Sequence, residues 1–230
     1  MGGKAVVLLS GGVDSTTCMA IADEEGFELR PISIYYGQRH EAEISAARGV
    51  ALQYGQTLRT VALPPDLLAS PDSALTGDRE MPAATYKELM ESEGPSPTVV
   101  PFRNATLLSI ATAYAIQEGA EAVFFGAHAE DAHNWAYPDC SPEFIGAMAN
   151  AIYVGSYRDV RLCTPLEWLT KAQVVRRGLE LGAPYHLTLS CYRGLRPACG
   201  NCPTCVERLH AFEANEVADP IEYAFRVPTP

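Results

Sequence analysis

Two groups of residues in this sequence have the types and spacing that chemistry requires. The first is Ser10-Gly11-Gly12-Val13-Asp14-Ser15, set between the apolar run "KAVVLLS" and a helical pattern. Glycines let successive backbone N–H groups converge on an anion, and the start of a helix adds the positive end of its dipole. The hydroxyls of Ser10, Ser15 and Thr16 can donate to phosphate oxygens. No lysine follows the glycines, whereas loops serving transfer of the terminal phosphoryl group carry one to reach the β and γ phosphates. A lysine-free cradle suits attack at the α-phosphate, with pyrophosphate leaving and AMP passing to the substrate. Asp14 is then linked to Mg²⁺ or braces the loop.

The second group is "CYRGLRPACGNCPTC": Cys191, seven residues, then C-x-x-C-x-x-C at Cys199, Cys202 and Cys205. Four thiolates so close together can close a tetrahedral zinc site, with Gly200 easing the knuckle. Such a site is saturated and therefore structural, stapling a tail too small to hold itself by burial. An iron–sulfur cluster is the competing occupant, since the same run occurs in ferredoxins, and it would colour the protein brown. Of the seven cysteines, Cys18 and Cys163 fall on core-facing positions, and Cys140 has no assigned role.

The elements that must position these groups alternate along the chain. Strands are predicted over 4–10, 28–36, 57–63, 120–128 and 159–166, and helices over 13–25, 40–54, 103–119, 141–155 and 171–182. Apolar strands without clean alternation, each followed by a helix, indicate a parallel sheet covered on both faces. The expectation is an α/β protein with a doubly wound open sheet of about five strands and a small C-terminal zinc-binding helical segment. Ligands of such folds bind at the carboxyl ends of the strands, where the winding reverses. A domain over 1–187 would be followed by the cysteine segment at 188–230. Residues 64–101 are proline-rich, acidic and without sustained period, and read as a lid or as a solvated insertion.

With 17 Lys+Arg against 28 Asp+Glu, the formal net charge is −11, which disfavours a nucleic-acid partner. No apolar run approaches the ~20 residues that span a bilayer, and no cleavable leader is visible, so a cytoplasmic protein without membrane partner is expected. Crowded cysteines in a reducing compartment argue for metal rather than disulfides.

The S-G-G-x-D-S pattern directly after the first strand resembles the N-type ATP pyrophosphatases, whose members include GMP and NAD synthetases and tRNA-thiolating enzymes. "TPLEWLTKAQVVRRGLELGAPY" (164–185) is similar to their "PL…K…V…LG-P" element, whose lysine reaches the nucleotide phosphates. On that resemblance Lys171 supplies the cation that the loop lacks. A merely solvated lysine is disfavoured there, because a cation at a helix start opposes the dipole.

Taken together, "SGGVDSTTC" (10–18), "YYGQRHEAEI" (35–44), "VPFRN" (100–104), "YPDC" (137–140), "TPLEW" (164–168) and "CGNCPTCVERLHAF" (199–212) resemble the 7-cyano-7-deazaguanine synthases over nearly the whole chain. The resemblance implies ATP-dependent conversion of 7-carboxy-7-deazaguanine and ammonia to the nitrile, through an acyl adenylate and an amide. It implies one structural Zn²⁺ per subunit on Cys191, Cys199, Cys202 and Cys205, Mg²⁺ with ATP, and a homodimer. ATP would meet the first motif from Leu9, Ser10, Gly11, Gly12, Val13 and Asp14 through Ser15, Thr16, Thr17 and Cys18, with Tyr36 and Lys171. Asp14, Lys171 and Arg103 would be catalytic. Gln38, Arg39, Asn104, Tyr137 and Asp139 would hold the substrate, Asp139 on its guanidine-like edge and Tyr137 or Trp135 on its face. The chain departs from the family pattern at "EDAHNWAYPDCS", where Ser141 replaces an arginine, and at "PFRN", which replaces "PGRN". Rival readings are another adenylating relative, amide-forming or tRNA-modifying, and a non-catalytic zinc-stapled nucleotide-binding module.

Overall fold

The computed structural model describes residues 2–37, 41–77, 86–91 and 94–225. Strand β1 (Lys4–Leu8) shows why the chain folds in layers. Successive strand side chains point to opposite faces: Ala5 and Val7 join one core, and Val6 the other. The first core holds Cys18 and Met19 of α1 (Val13–Glu24), and also Leu29 of β2 (Glu28–Tyr35). Val50 of α2 (Glu41–Gln53) completes that side. After β3 (Arg59–Ala62) and the short α3 (Tyr86–Glu91), α4 (Arg103–Glu118) covers the opposite face with Leu108, Ala111 and Ala115. Ile145 and Ile152 of α5 (Pro142–Gly155) finish that second core, following β4 (Ala122–Phe124). Strand β5 (Arg161–Cys163) leads to α6 (Lys171–Glu180) and α7 (Pro203–Glu213), which pack on the first face through Val174, Val175 and Phe212. Burying a side chain such as Phe124, only 1% exposed, contributes roughly 1.5–3 kcal/mol.

All five strands run parallel in the order β3-β2-β1-β4-β5. The winding therefore reverses between β1 and β4, and a crevice opens at their carboxyl ends. The expected sheet and its five helices are all present, with the strands shorter than their apolar runs. The largest difference is at 120–128, where pairing stops at Phe124 and the chain beyond it leaves the sheet to line the crevice.

The segment after residue 187 is not a separate body. Ala211 and Phe212 of α7 sit in the same core as β1 and α1, and Leu189 packs with Ala46 of α2. Of the connection 64–101, the described parts are not merely solvated: Ala74 and Leu75 line the crevice. Ser96 and Thr98 hydrogen-bond the Tyr137 hydroxyl.

Candidate active site

The chain leaves the sheet at Ser10, after the Leu9 N–H makes a last bond of 2.8 Å to the Ile32 carbonyl. Gly11 adopts φ +88°, and a Cβ there would lie 2.6 Å from both Ala47 N and Glu43 O of α2. Glycine is needed for the turn and for the close approach of α2 alike. Ser15 Oγ accepts from the Ser10 N–H at 3.2 Å and lies 3.0 Å from Ser10 Oγ, bracing the loop from inside. Helices α5 and α6 begin on capping side chains, Ser141 and Thr170. Helix α1 begins at Gly12 with no side-chain cap, so its first N–H groups are left for an anion. Gly126, beyond β4, completes the turn's surroundings: a Cβ there would stand 3.3 Å from Ser15 N.

A cavity of about 300 Å³ opens over this loop, within the usual size range of small-molecule sites. Lys171, the first residue of α6, enters it from the far side. Its Nζ donates to Asp14 Oδ2 at 2.8 Å and lies 3.4 Å from Glu207 Oε2 and 3.3 Å from His128 Nε2. The Lys171 backbone N–H donates to Glu130 Oε2 at 2.6 Å. Burial alone would strip the charge from Lys171, but Asp14, Glu207 and Asp131 override it and push its pKa up. For Asp14 burial likewise disfavours the ion, yet the Lys171 and His128 charges hold its carboxyl below the ordinary value. Glu207, further from compensation, is pushed up to about 7 by burial. Asp14 Oδ1, Glu207 Oε1 and His128 Nδ1 are buried without a hydrogen-bond partner.

The other end of the cavity is built on the start of α4. Phe102 takes the left-handed conformation (φ 59°), which turns Arg103 inward. Arg103 Nη1 donates to the Tyr36 hydroxyl at 3.4 Å. Burial opposes the guanidinium, but Tyr36, Asp139 and Cys140 keep it charged. Glu43 also lines the cavity; burial pushes its carboxyl up to about 7 against the pull of Arg103. Tyr137 is held by Thr98 and, at 3.2 Å, by the Tyr192 hydroxyl.

Behind the cavity, the sulfurs of Cys191, Cys199, Cys202 and Cys205 all lie within 4.8 Å of one another and are buried. Backbone N–H groups of Cys199 and Cys202 point at the Cys191 and Cys199 sulfurs, at 3.5 and 3.3 Å, as thiolate ligands require. Gly200 sits in the knuckle at φ +76°, where a Cβ would strike the Phe225 carbonyl. Without a cation the thiols compete: hydrogen bonds from Cys202 and Cys205 favour the Cys191 thiolate, while those two are themselves pushed up. The donor set fits a metal ion, and the four cysteines could bind one.

The structure brings Leu9, Ser10, Gly12, Asp14, Ser15 and Lys171 to one cavity. Tyr36, Arg103, Asn104 and Tyr137 line it as well. Other residues expected at the site lie elsewhere. Gly11 and Val13 do not line the cavity: the first packs on α2 and the second in the core. The Thr16 hydroxyl is buried without a partner, Thr17 Oγ1 bonds the Val13 carbonyl and Tyr185 instead, and Cys18 is core. Asp139 Oδ2 accepts the Asn104 N–H at 2.9 Å, and the residue does not line the cavity. Trp135 is 60% exposed and does not line the cavity, whereas Tyr137 does. Gln38 and Arg39 fall outside the described residues. His128 is buried against Lys171. Glu207, Thr204, Ser190 and Tyr192 also line the cavity and were not singled out in the sequence. A signal was present, since all four lie within the cysteine segment, and closing a metal site fixes its neighbours too. Cys140 lines the cavity as a neutral thiol, 3.3 Å from Asn104 Nδ2, its pKa raised by burial.

Comparison with known proteins agrees with this arrangement. Residues 4–216 match the family model described as Queuosine biosynthesis protein QueC. A 7-cyano-7-deazaguanine synthase of Caldicellulosiruptor bescii is 42% identical over 97% of this chain and 99% of its own length. The Oceanobacillus iheyensis protein of that name is 45% identical over 96% of this chain and 99% of its own. Among solved structures, NMN synthetase from Francisella tularensis aligns with a TM-score of 0.50 at 15% identity, covering 94% of this chain and 78% of that one; it shares the fold alone. On the match of nearly its whole length, the chain belongs to the QueC family of queuosine biosynthesis proteins.

Proposed function

We propose that this chain is an ATP-dependent 7-cyano-7-deazaguanine synthase. One observation carries the chemistry: a phosphate loop without its own lysine meets Lys171, 157 residues away in sequence, with Nζ 2.8 Å from Asp14. Lys171 thereby brings a cation to the first turn of α1, beside its uncapped start, which supports the reading. A triphosphate bridging the two would have its pyrophosphate gripped and its α-phosphorus turned to an acceptor held near Arg103.

A carboxylate is a poor electrophile, so 7-carboxy-7-deazaguanine attacks the α-phosphorus, forming an acyl adenylate and releasing pyrophosphate. Ammonia adds to the acyl carbon and expels AMP, leaving the amide and one proton. A second ATP adenylates the amide oxygen and releases pyrophosphate, and loss of AMP and of both amide N–H protons gives the nitrile. The chain's residues bind, orient and shield these steps rather than form covalent intermediates. Ser10, Ser15 and the α1 N–H groups hold phosphate, Arg103 the substrate carboxylate, and Tyr137 the ring face. Asp14 Oδ1, lacking a partner, suits the Mg²⁺ that accompanies ATP. Zinc on the four cysteines would be structural, since the site offers no open position.

Ammonia as nitrogen source, a homodimer and a cytoplasmic location complete the reading. Family membership supports it, and no helix among the described residues is long and apolar enough to cross a membrane. Mass spectrometry of the product formed from the carboxylate, ATP, Mg²⁺ and an ammonium salt tests it. The expected result is the nitrile with AMP and pyrophosphate; release of ADP alone overturns it.

A further inference from the structure

Glu43 belongs to the motif "YYGQRHEAEI" yet has no part in the reading above. It stands in the first turn of α2, whose backbone is pressed against Gly11 of the phosphate loop. The cavity is lined by four carboxylates among the described residues: Asp14, Glu43, Asp131 and Glu207. Asp14 and Glu207 face Lys171, and Asp131 faces His128 at 3.4 Å. Glu43 makes no hydrogen bond with any described residue, although it is within electrostatic reach of Arg103. A carboxylate that lines a cavity without donors pays to lose water when a ligand covers it, and two parallel N–H donors relieve that cost.

The substrate assigned above has such a pair. The N1–H and 2-amino groups of a 7-deazaguanine lie side by side on the pyrimidine ring, and the reacting carboxylate hangs from the other ring. Asp139, the carboxylate expected from the sequence to meet this edge, accepts the Asn104 N–H through Oδ2 at the start of α4 and is not among the residues that line the cavity. We infer that Glu43 reads the 2-amino-4-oxo pyrimidine edge of the substrate, while Arg103 meets its carboxylate. The ring is thereby set between a carboxylate and a guanidinium, with its reactive end toward the latter. This inference rests on the proposed function and names the specificity residue of that same site.

The test is Glu43→Gln in the full chain, with Glu43→Asp beside it. The carboxamide keeps the shape but turns an N–H₂ toward one of the two donors. KM for 7-carboxy-7-deazaguanine is expected to rise about 10- to 100-fold, the size of a lost hydrogen bond to a buried charge. KM for ATP and the melting temperature should hold, and Glu43→Asp should recover part of the loss. Wild-type enzyme should also reject a substrate analogue without the 2-amino group, and Glu43→Gln should lose that discrimination. Unchanged kinetics in Glu43→Gln overturn the inference while leaving the proposed reaction intact. A rise confined to KM for ATP assigns Glu43 to the ribose hydroxyls and overturns it too, as does a fall in melting temperature that Glu43→Asp shares. Wild-type enzyme that makes no nitrile from this acid sinks the reaction and the inference together.

Discussion

Replacing Lys171 by methionine keeps the apolar stem and deletes one charge from a buried cluster. Asp14 is then left without its 2.8 Å partner, and removing one member of a buried ion pair costs about 3–5 kcal/mol. The Asp14 side chain keeps 27% of its exposure, so the lower end applies, about 3 kcal/mol. In a chain of 230 residues each kcal/mol moves the melting temperature by about 2–4 °C, so a drop of about 6–12 °C is expected. The sign with pH is diagnostic. In the native protein Asp14 titrates below its ordinary value, so its contribution is present above that value and is lost on acidification. Without Lys171 the largest remaining influence is burial, which raises it. A raised carboxylate stabilises below its unfolded pKa and loses that stability as pH rises. The deficit of the variant should therefore be larger at alkaline than at mildly acidic pH. Thermal melts of the metal-loaded protein across that range read it, and AMP production should be lost throughout. Adding Asp14→Asn should restore much of the stability and none of the activity, since the two sites couple. A Lys171→Met protein with native melting at alkaline pH, or a deficit that grows on acidification, refutes the compensation.

Metal analysis should find one zinc per chain, and stripping it should lower both the ellipticity of the 188–225 region and AMP production, because Ser190, Tyr192 and Thr204 of that region line the cavity. Gly11→Ala should lower the melting temperature, with φ +88° adding about 1–3 kcal/mol of strain to the 2.6 Å overlap with α2. Gly12→Ala has its nearest neighbour at 3.6 Å, so it should melt normally and raise KM for ATP by crowding the anion nest. Asp139→Ala removes the acceptor at the start of α4 and should cost about 0.5–2 kcal/mol, with KM for the carboxylate unchanged; a large rise in that KM returns Asp139 to the substrate.

The sheet was legible because its central strands are apolar on both faces and most strands are followed by a helical period, as a covered parallel sheet requires; β3, largely exposed at the edge, carries the weakest signal. The four thiols were legible because metal ligands must be close in space and here are close in sequence. Lys171 came from resemblance to a motif; periodicity gives only a helix beginning there. Asp139 and Thr17 show the limit. A short polar side chain near a helix start serves the backbone or a ligand equally well on paper, and only the neighbours decide. Asn104's N–H claimed Asp139, and the Val13 carbonyl and Tyr185 claimed Thr17. His128 and Glu207 were obscured for the opposite reason: charged residues are exposed by default, and theirs is a burial forced by Lys171 between them.

The placing of Arg208 argues that the cysteine segment is a wall of the site rather than an appendage. Its guanidinium, 1% exposed, donates to both Asp219 oxygens at 2.7 and 2.9 Å, to Thr188 Oγ1 at 2.7 Å and to the Tyr185 carbonyl at 3.2 Å. These bonds tie α7 to the strand-like stretch that enters the metal site and to the turn that follows α6. Glu207 precedes Arg208 on the same helix and faces the other way, toward Lys171. One turn of α7 thus has the four-cysteine cluster at its start, a buried ion pair on one side and Lys171 on the other. Rotating that helix to relax any of the three would displace the other two. A metal on the four cysteines is accordingly expected to fix the position of Lys171 through α7, so that stripping it should weaken ATP binding as well as lower stability.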